Sequence, residues 1–268
     1  MKLKKFWVSW VLAMKTALLC EQWKLPFNIE LKNESDSDLH SRSYIHYVSQ
    51  HLPLVAAKCW ATKWMLEGVL DASERYNVRE YFAGVGIMST IIRGLYNVDR
   101  HVASEIDQDC VKQLSSMGLE SRLEDAKEAM LLDDNSDMKF LDLPNSSVLQ
   151  ITTKWNDCFN KAFQSKPKLV AWTDTSVTYP IAVHGEKYSK IFGEQLTDKY
   201  DYVKAYSKWL YSNHRYSIIK AAFRARNAVY FVAVPGLHET EFKHFDLTTT
   251  ANGFYFLEKD TGPLDAFT

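Results

Sequence analysis

The stretch REYFAGVGIMSTII, residues 79 to 92, constrains the fold more than any other part of the chain. An apolar run carrying one acid, Glu80, passes through Gly84 and Gly86 and then into apolar residues at helical spacing. Glycine has no Cβ, so a strand that enters a helix through such a turn can bend sharply and bring bare backbone against a ligand. The chain has only ten glycines in 268 residues, and two of them stand one residue apart here. The pattern predicts a strand over Val78–Phe82, the turn, and a helix over 88–97. An acid follows 21 residues after Gly84. It is Glu105, in VASEID, at the end of the next predicted strand, His101–Glu105. A carboxylate there can accept hydrogen bonds from both hydroxyls of a ribose.

Further strands are predicted over Lys139–Leu143, Lys168–Trp172, Ala228–Val234 and Gly253–Leu257, with helical segments over 108–117, 153–165 and 196–222. This alternation predicts an α/β fold, a mainly parallel sheet with helices on both faces. No helix is evident between the last two strands, which are expected to form an antiparallel pair at one edge. Apolar residues recur at helical spacing from Tyr44 to about Ala72, ahead of the first strand. Residues 31–43 (LKNESDSDLHSRS) are polar and read as a linker. The first twenty residues are broken by Lys15 and lack a small-residue cleavage site, so they read as an amphipathic helix bearing Phe6, Trp7, Trp10, Val11 and Met14. They are also too short and too broken to span a bilayer. The expected organisation is therefore 1–43 as helix and linker, and 44–268 as the main domain.

The four cysteines are scattered without a C-x-x-C pair, which fits neither a zinc site nor a disulfide framework; a reducing, cytoplasmic setting is expected, with no membrane partner. Net charge is −1, yet its distribution is uneven. Residues 99–142 hold twelve acids and five bases, and residues 153–226 hold thirteen bases and six acids. The basic region is a candidate RNA or DNA contact through Lys154, Lys161, Lys166 and Lys168, then Lys187, Lys190, Arg224 and Arg226.

A ribose occurs both in dinucleotides and in S-adenosylmethionine (SAM). Three features favour SAM. Ser89 stands where the dinucleotide fingerprint carries its third glycine. A long helical region precedes the first strand. Finally, RLEDAKEAM offers Asp125 and Ala126 at the end of an expected third strand, where a carboxylate can take the adenine amino group or cap a helix. With these residues in view, EYFAGVG resembles the acid-x-F-x-G-x-G motif of class I SAM-dependent methyltransferases, particularly those acting on nucleic-acid bases. The resemblance spans about residues 78–257 and is most specific in its first part. It implies a Rossmann-like seven-stranded, mainly parallel sheet with an antiparallel edge strand. It also implies a SAM site formed by Glu80, Phe82, Gly84, Gly86, Glu105, Asp125 and Ala126, with Phe82 and the two glycines at the methionine end.

Cytosine C5 chemistry needs a Pro-Cys thiolate, and the residues before the four cysteines are Leu19, Lys58, Asp109 and Asp157. The fourth strand instead runs into KFLDLPNSS, where amino-methylating enzymes carry (Asp/Asn/Ser)-Pro-Pro-aromatic. An exocyclic amine is a poor nucleophile because its lone pair is delocalised into the ring. Two acceptors on its hydrogens hold the nitrogen pyramidal and aim it at the methyl group. Asp142 would be the first acceptor and the Leu143 carbonyl the second, with Pro144 stiffening the turn. Leu143 replaces the first proline of the pattern, and Asn145 stands where a ring would stack on the base. Stacking contributes roughly 1–3 kcal/mol per base, so Trp172 or Tyr179 is expected to substitute. LVAWTDTSVTYP is faintly similar to the tRNA guanine-26 dimethyltransferase family. The alternatives are a module that kept the fold and lost transfer, methyl transfer to a small molecule or protein, and a dinucleotide-dependent enzyme.

Overall fold

The computed structural model describes residues 62–84, 86–132, 135–141, 156–174, 192–193, 195, 199–224, 229–236, 242–247 and 254–259. The amphipathic-helix and linker region 1–43 lies outside them. A helical turn over 62–66 leads into β1 (Arg75–Tyr81), α1 (Ile87–Leu95), β2 (Asn97–Glu105), α2 (Gln108–Ser116), β3 (Glu120–Leu123), α3 (Ala126–Leu131) and β4 (Met138–Leu141). Then come α4 (Asn156–Gln164), β5 (Leu169–Asp174), α5 (Lys199–His214), β6 (Tyr216–Arg224), β7 (Val229–Pro235), β8 (Phe242–Leu247) and β9 (Phe254–Lys259). Among the described residues no helix is long and apolar enough to cross a membrane.

All the strands join one sheet in the order β3-β2-β1-β4-β5-β7-β6-β9-β8. The pairs among β1 to β5 are parallel, and those of β7 with β5 and β6 are antiparallel. β9 is antiparallel to both β6 and β8. Only β7 and β9 therefore run against the rest. The expected seven-stranded, mainly parallel sheet is present as β3-β2-β1-β4-β5-β7-β6, and β9-β8 extends it to nine strands. An antiparallel pair closes one edge, but it is β8 with β9. The pair predicted from sequence, Ala228–Val234 with Gly253–Leu257, is instead split by β6, which pairs with both.

Successive buried residues of the central strands face opposite sides of the sheet, and the two faces carry separate cores. Val78, Phe140, Ala171 and Val232 pack with Met65, Leu66, Met88 and Ile92, so the 62–66 turn and α1 cover one face. Leu141, Val170, Trp172 and Phe231 pack with Ala129, Met130, Phe163, Val203 and Leu210, so α3, α4 and α5 cover the other. Helices thus lie on both faces. All four residues of β4 (MKFL) are buried, as expected of a parallel strand covered on two sides. Each fully buried Leu or Phe stabilises the fold by about 1.5–3 kcal/mol. The edge strand β3 (ESRL) is largely exposed and charged, which blunts edge-to-edge pairing.

The segment 196–222 corrects another expectation. Its helix ends at His214, the chain reverses through Arg215 at φ 64, and Tyr216–Arg224 is a strand. The register of β6 shifts between Ile218 and Lys220. Ile218 and Ala221 consequently share one core while Ile219 and Ala222 share the other. The bulge turns Lys220 to the side of the 62–66 turn, where its Nζ donates to the Trp64 and Glu67 carbonyls at 3.1 and 3.0 Å and lies 5.0 Å from the Trp64 ring.

Candidate functional site

In an open α/β sheet the crevice lies beyond the carboxyl ends of the strands, where strand order reverses. That point here is between β1 and β4. Tyr81 is in register with Leu141 and Ser104, and Glu105 with Leu123. The ends of β1, β2, β3 and β4 thus bring the glycine turn, Glu105 and Asp125 to one edge.

The turn is built from unusual backbone. Phe82, Gly84 and Gly86 have φ of 60, 55 and 85. The first is costly for an aromatic residue, and such outliers gather at ligand sites. Ala83 N–H still donates to the Ser104 carbonyl at 3.1 Å, so the turn leaves the sheet only after it. Gly86 N–H bonds back to the Ala83 carbonyl at 3.1 Å, and Gly86 becomes the N-cap of α1 without any side-chain cap. A Cβ on Gly86 would lie 2.8 Å from Met117 Sδ and 3.0 Å from Leu114 Cδ2. The positive φ is what requires glycine there, since the crowding atoms are side-chain ends that can shift.

Glu105 faces this turn. Its Oε2 accepts the Gly84 N–H at 2.8 Å, and its Oε1 accepts the N–H of Ile106 at 2.8 Å and of Asp107 at 3.4 Å. A carboxylate offers about four lone-pair sites. A vicinal diol could therefore join by taking the open site on Oε2 and displacing only the long Asp107 contact on Oε1. Asp125 is the N-cap of α3, its Oδ1 accepting from Lys127 N–H at 2.7 Å and Glu128 N–H at 3.4 Å. Capping leaves Oδ2 for a ligand donor, and Ala126, first in the helix, has an N–H with no intrahelical acceptor. Sequence reasoning missed Ile106 and Leu123, which are 59% and 54% exposed beside Glu105 and Asp125. Two exposed aliphatic side chains at this place suit the faces of a flat ring. The signal was an apolar residue between two acids in SEID.

Glu80 is elsewhere than expected. Its side chain is fully buried under α1, with Oε2 accepting from Ser89 Oγ at 2.5 Å and bonding His101 Nε2 at 2.9 Å. The side chain thus lies beneath the turn, with its other oxygen, Oε1, buried as well. Trp172 is corrected too. It is 2% exposed and enclosed by Phe163, Tyr206 and Phe231, so its ring is core and no stacking platform. Lys166 and Lys168 precede β5 and lie at the amino ends of the strands, roughly 20 Å from the site edge. There Lys168 Nζ pairs with Glu74 at 2.8 Å. Arg224, the last residue of β6, ends at the site edge. Asp142, Leu143, Pro144, Asn145, Tyr179, Lys154, Lys187, Lys190 and Arg226 lie outside the described residues.

Burial pushes the Cys110 thiol up to about 12 and the Cys158 thiol above its ordinary value, so neither supplies a thiolate near neutral pH. Among the described residues no group of acids, histidines and cysteines could hold a metal ion.

No family model and no curated protein matches the chain. Among solved structures, a SAM-dependent methyltransferase from Clostridium acetobutylicum is 12% identical with a TM-score of 0.43, covering 72% of this chain and 99% of its own. The plantazolicin methyltransferase BamL, solved with a triazolic desmethyl analogue and SAH, is 8% identical with a TM-score of 0.46, covering 86% and 100%. A protein of the NADB-Rossmann superfamily from Streptococcus agalactiae is 11% identical with a TM-score of 0.42, covering 68% and 69%. Scores and identities of this size carry no argument about what the chain does.

Proposed function

We propose that the chain binds SAM and transfers its methyl group, with an exocyclic amine of a nucleic-acid base as acceptor. The observation that carries the reading is Glu105 bonded to the Gly84 N–H at 2.8 Å, beside the uncapped first turn of α1. A ribose on Glu105 leaves the charged tail of its ligand beside free backbone N–H groups, which favour an anion such as the methionine carboxylate. A dinucleotide fits less well. Ser89 occupies the third-glycine position and spends its hydroxyl on Glu80, and antiparallel β7 separates β5 from β6 where a dinucleotide fold is parallel.

The acceptor side is read from Asp142–Asn145. Asp142 follows Leu141, the last residue of β4, and the register partner of Leu141 is Tyr81, the residue before Phe82. Bound SAM would supply an electrophilic methyl group on its sulfonium; the amine nitrogen would take that methyl as the carbon–sulfur bond breaks, leaving a thioether, and would give up its proton to solvent. Asp142 and the Leu143 carbonyl position the amine, and Arg224, which ends β6 at the site edge, would meet phosphates.

The burial of Trp172 favours one second reading, a SAM-binding module that lost transfer, because it removes a candidate ring for the base. Labelled SAM offered to total RNA, DNA and protein decides. Incorporation that disappears in Asp142→Ala, with SAM affinity kept, supports transfer. Wild-type protein that binds SAM and labels nothing supports the module. Binding of NAD in place of SAM overturns both.

A further inference from the structure

Arg79 and Glu80 are neighbours on β1, so their side chains leave opposite faces of the sheet. Both are buried ionisable side chains, 4% and 0% exposed. Glu80 gathers Ser89 from the first turn of α1 and His101 from β2, joining three elements on one carboxylate oxygen. Arg79 Nη2 donates to Glu124 Oε1 at 2.6 Å, and its guanidinium carbon lies 4.7 Å from the Tyr81 ring centroid. The Ser104 hydroxyl donates to the same Glu124 oxygen. Burial pushes the Glu124 carboxyl up, but the Ser104 hydroxyl and the Arg79 guanidinium outweigh it, so the group sits below the ordinary carboxylate range. Glu124 N–H donates to the Glu105 carbonyl at 3.1 Å, and Asp125 is the next residue.

Buried ionisable groups are costly unless they are paired and hydrogen-bonded. The elements that these two hold differ. Glu80 fixes the helix whose N-terminal N–H groups face the charged tail of a bound nucleoside. Arg79 fixes the Glu124–Asp125 corner, at its adenine end. Resting on the SAM reading above, we infer that Arg79 and Glu80 are positioning residues that set the two ends of the pocket separately. Glu80 acts through Ser89 on the amino-acid tail, and Arg79 acts through Glu124 on the nucleoside.

Calorimetry with SAM and with methylthioadenosine, which keeps the nucleoside and lacks the amino-acid tail, tests this. Glu80→Gln should raise the Kd for SAM by about tenfold, the loss of one hydrogen bond to a charged group, and leave that for methylthioadenosine within about twofold. Arg79→Lys, which loses the guanidinium fork, should raise both by the same factor. Ser89→Ala and Ser104→Ala remove single hydroxyls and should repeat the two patterns more weakly, which keeps the test if either charged variant fails to fold. Glu80→Gln and Ser89→Ala weakening both ligands equally, or neither, overturns the inference while the SAM reading stands. Wild-type protein that binds neither ligand overturns the reading and the inference together.

Discussion

Three strand-to-helix turns stand side by side at the carboxyl edge, and they end differently. After β2, Asp107 accepts the N–H groups of Asp109 and Cys110 at 2.9 and 3.0 Å. After β3, Asp125 does the same for Lys127 and Glu128. After β1 there is only Gly86, left-handed and without a capping side chain. A carboxylate at an N-cap stabilises a helix by about 0.5–2 kcal/mol and complements its dipole. Of these three turns, two take that stabilisation and one forgoes it. The helix end left open is the one beside the Glu105–Gly84 hydrogen bond, where the proposed ligand would bind.

The comparison breaks most sharply at Glu105. Glu105→Ala should lower SAM affinity by about 3 kcal/mol in calorimetry, since two hydroxyl bonds to a charged acceptor are lost and the Gly84 N–H is released. An unchanged affinity would mean that the open turn serves no ribose. Gly86→Ala comes next, through positive φ, with the side-chain ends of Met117 and Leu114 having to shift. It should destabilise the fold by about 1–3 kcal/mol in urea denaturation and impair binding as well. The capped turns sharpen the contrast. Asp107→Ala and Asp125→Ala should each cost about 0.5–2 kcal/mol of stability, and only the second should also weaken SAM. Equal effects on SAM would erase the distinction between the turns.

The smallest effect is expected away from the turns, at the outer edge of the sheet. Hydrogen bonds from Arg100 and Arg122 hold the exposed Glu120 carboxyl down at about 2. Its folded value lies below the unfolded one of about 4.3, so its contribution is present above that pH and is lost as pH falls toward 2. Solvent screening keeps it under about 1 kcal/mol. Urea midpoints of wild type and Glu120→Gln should therefore converge on acidification across that window, with ligand affinity at neutral pH unaffected.

Much of the parallel half was legible in the sequence because its signals are local. The glycines of 84 and 86 do take positive φ, and Glu105 does end β2. What escaped had no local signal. β6 was absorbed into a helix because the reversal before it uses Arg215, where a glycine would have marked the break, and because YSIIKAAFR lacks alternation. β3, four residues long and mostly polar, was expected only from its place before Asp125. The role of Glu80 was misread because a motif gives the position of an acid along the chain but not the face from which it leaves. Trp172 misled for a similar reason, since two intact cores leave no sign in a single strand of which aromatic is enclosed.

The bulge in β6 reaches further than its own strand. By turning Lys220 over, it lets a cation from the sheet's interior hold the carbonyls of Trp64 and Glu67, more than 150 positions earlier in the chain. A helical turn this short would ordinarily fray within its own length. Anchored in this way, its amide protons should exchange with solvent only when β6 itself opens, so that residues 62–67 belong to the same cooperative unit as the centre of the sheet.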